Sequence, residues 1–371
     1  MLNVTIIFII SIYVLITILM LFGLNKNSAI QNNELKSFSI VISVKNEVNN
    51  IKYLLRSLTK IDYPQELLEI IIVDNGSNDY TGGIASKFCE KYDHFKFIKA
   101  EDKSNNGLKG KRYGLQQGIL KSSGEIILVT DGDCKVPPSW VKSYNSKFSK
   151  KIGLIAGSIS LIGKNQKASR FVKVQALDWL FLQSIAAGTT GINLPVSMLG
   201  GNFAIRRKTY NDIGGFEKLG INITIDMKLI QKVSKNKKWK ILYSSDNNLL
   251  VYTLPAENFN DFIRQRKRWA MGGTDVSIWG IFLQATAVIT HLVIIFGFLL
   301  PISKFLLLCG IISIFSVDFI LLFKQLVKFK MKKLLLYFFH FELFYIFYTF
   351  IFIPIVLLSK KVKWKGEEYK L

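Results

Sequence analysis

Hydrophobic and polar positions are sorted into zones along the chain. Residues Val4 to Leu24 form an uncharged apolar run of about 21 residues, long enough to span a bilayer as a helix. Three further runs lie near the C-terminus: Val276 to Leu300, closed by Pro301, then Phe305 to Phe323, then Leu334 to Leu358. Between about 37 and 270 the pattern is different. Short β-rich runs alternate with stretches of helical period, which predicts a mostly parallel α/β sheet.

The first such run is Phe38 to Val44. Ile51, Leu54, Leu55 and Leu58 then recur at helical spacing, and Tyr63-Pro64 ends that helix. Glu69 to Asp74 is a continuous apolar run, as in a strand buried on both faces. A Gly/Ser/Asn turn leads into a helix from about Thr81. A third strand is expected at Phe95 to Ile98, a helix from about Lys111, and a fourth strand at Glu125 to Asp131. The polar ends of such strands are where ligands bind. These zones predict an N-terminal anchor over 1–25, an α/β domain over 37–258, an interfacial amphipathic segment over 259–275, membrane helices over 276–358 and a basic tail over 359–371.

Charge changes the picture in one respect. The chain of 371 residues carries 49 Lys+Arg against 26 Asp+Glu, a net charge of +23, yet its mean hydropathy is positive at +0.28. A charge of this size invites a nucleic-acid reading, but many of the lysines flank the apolar runs. Lys26 and Lys36 follow the first run, and Lys324 to Lys333 form a short basic loop; both mark the cytoplasmic side. No nucleic-acid partner is expected. The start Met1-Leu2-Asn3 lacks the basic region of a secretory leader, so the first run reads as an uncleaved anchor. One conflict stands: one N-terminal and three C-terminal spans place the tail outside, while its lysines favour the inside. Asp318, His340 and Glu342 fall within the apolar runs, where each marks either a functional site or contact with a neighbouring polar group. The three cysteines are scattered and support neither a disulfide framework nor a zinc site.

Three places carry candidate chemistry. Asp131-Gly132-Asp133 ends a buried strand, where two carboxylates one residue apart can hold a divalent cation against nucleotide phosphates. The same pattern also makes an Asx-turn. Asp74-Asn75-Gly76-Ser77-Asn78-Asp79 ends another strand; its side chains can meet a nucleobase or ribose, or simply form a polar turn. Gln265-Arg266-Lys267-Arg268-Trp269 precedes the second apolar run and reads as a membrane-surface anchor, or with Arg268 facing a diphosphate and Trp269 stacking at an acceptor pocket. The glycine-rich fingerprints of dinucleotide-binding and P-loop folds are absent.

These segments occur in one order with Lys45-Asn46-Glu47, Gly110-Lys111-Arg112, Gly200-Gly201-Asn202-Phe203-Ala204 and Gly214-Gly215-Phe216, over about 230 residues. Together they resemble a membrane-bound family 2 glycosyltransferase of the GT-A fold, a Rossmann-like nucleotide-sugar-binding α/β domain with N-terminal and C-terminal transmembrane helices. The tail Trp364 to Tyr369 is similar to that of ceramide-glucosyltransferase-like members.

The resemblance implies roles residue by residue. Asp131 and Asp133 match the metal and nucleotide-sugar motif, with Asp133 the direct ligand of Mg²⁺ or Mn²⁺. Asp74 matches the base-binding acid; the family usually has a second acid next, where this chain has Asn75, which puts the nucleotide preference in doubt. Lys111 matches a basic position near the diphosphate. Gly201 and Asn202 match a loop near the acceptor. Asp226 matches the catalytic base, with Ile225 where the family commonly has Glu. Gln265, Arg268 and Trp269 match the Q-x-x-R-W motif, Arg268 acting in catalysis and Gln265 and Trp269 at the acceptor. The implied activity is inverting transfer of a sugar from a nucleotide-sugar, a UDP-sugar by the family's habit, to a lipid or saccharide acceptor among membrane lipids. The enzyme would be multi-pass, with its catalytic domain on the cytoplasmic face of a bacterial inner membrane. A processive polysaccharide synthase of the same family is the nearer alternative, and a non-catalytic basic membrane scaffold the more distant one.

Overall fold

The computed structural model describes residues 1–26, 32–100, 108–161, 168–219, 225–272, 277–358, 361–364 and 367–370, with side chains described except at 270–272 and from 351 on. Thr224, Val276, Ser359 and Gly366, named above, lie outside these ranges.

The chain opens with helix α1 (Leu2–Lys26) and enters the sheet at β1 (Phe38–Val44). Then follow α2 (Ile51–Leu58), β2 (Leu68–Asp74), α3 (Thr81–Cys89), β3 (Phe95–Lys99), α4 (Gly110–Leu120) and β4 (Ile126–Thr130). Each agrees with the expected element to within a residue or two. Strand interiors are fully buried, Ile40 to Ile42, Ile70 to Val73 and Ile126 to Val129 among them, because helices and loops cover both faces. Helix α4 can lie close to the sheet because Gly118 opposes Val41 and Val73; a Cβ there would come within 2.4 Å of Val41 Cγ1.

The second half completes the domain: α5 (Trp140–Asn145), β5 (Ile152–Gly157), β6 (Ile159–Ser160), α6 (Arg170–Gly191), β7 (Asn202–Arg206), α7 (Arg207–Asp212), α8 (Ile225–Lys235), β8 (Lys240–Ser244) and β9 (Val251–Tyr252). Seven strands form one sheet in the order β3-β2-β1-β4-β7-β5-β8. It is mixed: β7 runs antiparallel to both β4 and β5, while the other pairings are parallel. The expectation of a mostly parallel sheet therefore holds except at β7. This strand brings the Gly200-Gly201 loop to the C-terminal end of β4, where Thr130 Oγ1 donates to Gly201 O at 3.0 Å.

Helices α9 (Phe259–Gly272), α10 (Ile278–Phe296), α11 (Lys304–Lys328) and α12 (Phe338–Leu358) follow, then a hairpin of β10 (Lys361–Trp364) and β11 (Glu367–Lys370). Among the described residues α1, α10 and α11 are long and apolar enough to cross a membrane. Helices α1 and α11 run side by side in the same direction. Asn3 Oδ1 accepts from Ser303 N at one end, and Lys328 Nζ reaches Leu24 O at the other. Asp318 meets a polar group of a neighbouring helix, accepting from Tyr13 Oη at 2.8 Å, while Glu342 is fully buried and His340 exposed.

Helix α6, long and buried, stands between the sheet and these helices. It crosses α1 at glycines: a Cβ on Gly188 would lie 2.6 Å from Met20 Cβ, and one on Gly191 would collide with the Gly23 backbone. Small residues at such a crossing let two backbones approach closely.

Candidate active site

The site lies at the C-terminal ends of β1, β2 and β4. The loops after β1 and β2 are knitted by their own polar groups. Asn46 adopts a positive φ of 55°, its amide N–H donates to Ser77 Oγ, and its side-chain oxygen accepts from Asn78 N. Asp74 is buried, and its Oδ1 accepts from Ser77 N at 3.1 Å and Ser77 Oγ at 2.6 Å. Asp74 therefore makes the polar turn that its sequence allowed. Asn75 follows, half-buried, with its N–H bonded to Val44 O.

Asp131 and Asp133 follow β4 in a turn closed by Cys134 N donating to Asp131 O. The nearest ligand atoms of Asp131, Asp133 and Cys134 all lie within 4.8 Å of one another. Burial, with help from Asp133 and Asp131, pushes the Cys134 thiol well above its ordinary value. A neutral thiol is a poor ligand for a hard cation, whereas the two carboxylates suit one. Lys111, in the first turn of α4, forms an ion pair with Asp131 and donates to Gly200 O at 3.3 Å. With Asp131 already paired to an ammonium, Asp133 is the carboxylate better placed to lead in metal binding.

Asp226 stands in the first turn of α8. A Cβ on Gly200 would lie 3.2 Å from Asp226 Oδ2, and one on Gly201 would lie 2.8 Å from Asp131 Oδ2. The glycine pair thus fills the space between these carboxylates, and any larger side chain would intrude on them. Burial pushes the Asp226 carboxyl above its ordinary value, against the pull of Lys111 and then Arg268. For Lys111, burial opposes the charge, but Asp131 and then Asp226 outweigh it and hold the ammonium above the ordinary lysine value. Lys111, Asp131, Asp226 and Arg268 therefore share one electrostatic neighbourhood, built from α4, β4, α8 and α9.

Two expected site residues are placed otherwise. Asn202 is fully buried at the start of β7. Its Oδ1 accepts from Trp140 Nε1 at 3.0 Å and Tyr144 Oη at 2.8 Å, and its Nδ2 donates to Ser158 O and Leu249 O, both at 2.8 Å. With every amide valence used by the protein, Asn202 holds the loop in place, and its side chain does not face an acceptor. Trp269 packs against Trp179 of α6 at 5.1 Å between ring centroids, with the Arg266 guanidinium 4.3 Å from its ring. Its ring serves α9 packing, not an open stacking platform. Gln265 lies on the same helix with its Oε1 buried.

One pair went unread in the sequence. Arg266 and Asp178 form an ion pair at 1% and 0% side-chain exposure. Arg266 sits inside the basic cluster that reads as a surface anchor, and Asp178 is 88 residues away, so no local pattern joins them.

Residues 39–214 match the family described as Glycosyl transferase family 2. "Probable glycosyltransferase YdaM" of Bacillus subtilis is 30% identical over 64% of this chain and 56% of its own length. A beta-monoglucosyldiacylglycerol synthase of Trichormus variabilis is 27% identical over 66% of this chain and 51% of its own. A poly-beta-1,6-N-acetyl-D-glucosamine synthase of Staphylococcus aureus is 26% identical over 73% and 63% respectively. The chain thus spans between about half and two thirds of the length of these relatives. Among solved structures, a mannosyltransferase of Pyrobaculum calidifontis, in complex with GDP-Man and Mn²⁺, aligns over 91% of this chain and 97% of its own. Its TM-score is 0.55 at 14% identity, a likeness of fold. The sheet order, the convergent carboxylates and the family match agree: the chain carries a family 2 glycosyltransferase domain in a GT-A fold.

Proposed function

We propose that the protein transfers a sugar, with inversion, from a nucleotide-sugar to a lipid or saccharide acceptor at the cytoplasmic face of the membrane. The observation that carries this reading is the meeting of Asp226, Lys111 and Asp131 around the Gly200-Gly201 loop. It puts a carboxylate of raised pKa beside the groups suited to a diphosphate. Asp226 takes the proton from the acceptor hydroxyl as that oxygen attacks the anomeric carbon. Lys111 and Arg268 bring positive charge to the side where the diphosphate leaves. Asp133, with Asp131, would hold a divalent cation that neutralises the departing diphosphate. Asp74 and Asn75 border the pocket where a base would sit, with Asn75 able to donate and accept.

Membrane placement is part of the same proposal. The shared direction of α1 and α11, with Lys26 and Lys328 at one end, supports a cytoplasmic catalytic domain. The glycolipid synthase among the relatives, and the tail's likeness to ceramide-glucosyltransferase-like members, favour a lipid acceptor. The polymer synthase favours the second reading, processive extension of a polysaccharide.

A donor screen tests the proposal. Purified protein with Mn²⁺ and membrane lipid extract is given a panel of labelled nucleotide-sugars. Release of nucleoside diphosphate with one added sugar per acceptor is expected. A ladder of products favours the processive reading, and no release from any donor contradicts both.

A further inference from the structure

The inference concerns what holds α9, and it rests on the proposed catalytic use of Arg268. Gln265 and Arg268, three residues apart, lie along one side of α9. Phe262, Arg266 and Trp269 recur at spacings of four and three and form its packed side. An apolar stripe alone can slide or rotate on its neighbour. Arg266 is different: it is 1% exposed, and its only printed ion-pair partner is Asp178 of α6, 0% exposed.

Helix α6 is itself tied to the catalytic domain by two amide clamps. Gln183 accepts from Ile159 N at 2.7 Å and donates to Ile159 O at 2.8 Å, next to β6. Gln175 donates to Ala256 O and accepts from Ala256 N, both at 3.1 Å, on the segment that leads into α9. Asp178 lies between these clamps and fixes α9 by a directed bond.

A buried ion pair is a poor device for stability, since desolvating two charges offsets their attraction. This pair is not even fully satisfied: Asp178 Oδ1 and Arg266 Nε have no hydrogen-bond partner. What a directed charge pair does supply is register. We propose that Asp178 and Arg266 are positioning residues that set the rotation and height of α9, so that Arg268 is presented to the diphosphate side of the pocket beside Asp226. They touch no substrate; they act through Arg268.

The test uses the full-length protein in detergent, with exposed Cys309 replaced by Ser. Spin labels at Arg264→Cys on α9 and Lys232→Cys on α8, both exposed positions, report the distance between the helices by electron resonance. In an unlabelled companion, UDP binding with Mn²⁺ is measured by calorimetry, and turnover and donor KM by diphosphate release in the donor assay. The neutral pair Asp178→Asn with Arg266→Gln removes both charges at similar volume. A distance distribution at least about twice as wide is expected, with turnover lowered at least about tenfold and UDP affinity and donor KM within about threefold. Arg266→Lys, which keeps the charge, is expected to restore most of the narrow distribution and of the turnover. An unchanged distribution overturns the proposal, even if the donor assay finds no activity. A widened distribution with normal turnover overturns it too, since positioning would then not serve the reaction. A neutral pair that fails to fold would show the pair to be structural and equally overturn it.

Discussion

At the scale of single residues, the proposed chemistry turns on how Asp226 is tuned. Burial pushes its carboxyl up, and Lys111 and Arg268 hold it down. A base with a raised value is charged only above it, so the acid limb of kcat/KM against pH should lie above the ordinary aspartate value of about 3.9. Lys111→Met removes an opposing charge, so the limb should move to higher pH; a limb that moves down contradicts the coupling. Most residues of this neighbourhood were legible in the sequence because each stands at the end of a strand or in a short motif. Asn202 was misread for a physical reason. A Gly-Gly-Asn sequence shows where a loop lies but not which way its last side chain points, and the bonds from Trp140 and Tyr144 turn it inward.

At the scale of elements, β1 to β4 and α2 to α4 were legible from periodicity and turn residues, because each is a local unit whose buried face is written in its own sequence. The direction of β7 was not, since antiparallel insertion between β4 and β5 is decided by partners remote in sequence. Helix α6 went unread as well: its neighbours are the sheet on one side and membrane helices on the other, so it shows no clean polar face. The parallel half of the sheet has a polar lock that can be tested. Glu69 on β2 accepts from Ser39 Oγ, Ser123 N and Lys96 Nζ, tying β1, β3 and the entry to β4 together. Burial alone would raise its carboxyl, but Lys96, Ser123 and Ser39 outweigh it and bring the value down to about 2. A folded-state value below the unfolded one means stability that is present above about pH 4.5 and lost as pH falls toward about 2. Glu69→Gln should therefore cost about 1–2 kcal/mol at neutral pH, reduced from the full linkage by solvent screening, and should flatten the acid dependence of chemical unfolding. An equal loss at pH 7 and pH 3 would contradict the assignment.

At the scale of the whole molecule, the membrane helices and the catalytic domain meet where α1 crosses α6 at Gly23, Gly188 and Gly191. Gly188→Leu should force the crossing apart and destabilise the fold by about 1–3 kcal/mol, read as a lower midpoint of thermal unfolding in detergent; an unchanged midpoint would mean the crossing is not under this constraint. Orientation is testable in the same frame. A cysteine at Lys330, an exposed position just after α11, should escape an impermeant maleimide in intact cells and react once they are opened. Labelling in intact cells would place the catalytic domain on the outer face. The apolar spans were the easiest part of the sequence to read, since a hydrocarbon slab admits few solutions.

The most direct measurement of the central claim is a comparison of Asp226→Asn with the wild type, using the donor found in the screen. The account predicts that turnover falls by at least about a hundredfold, the usual worth of a general base, while donor affinity in the presence of Mn²⁺ stays within about threefold. Turnover near the wild-type value, with donor affinity intact, would show that Asp226 is not the base and would contradict the account.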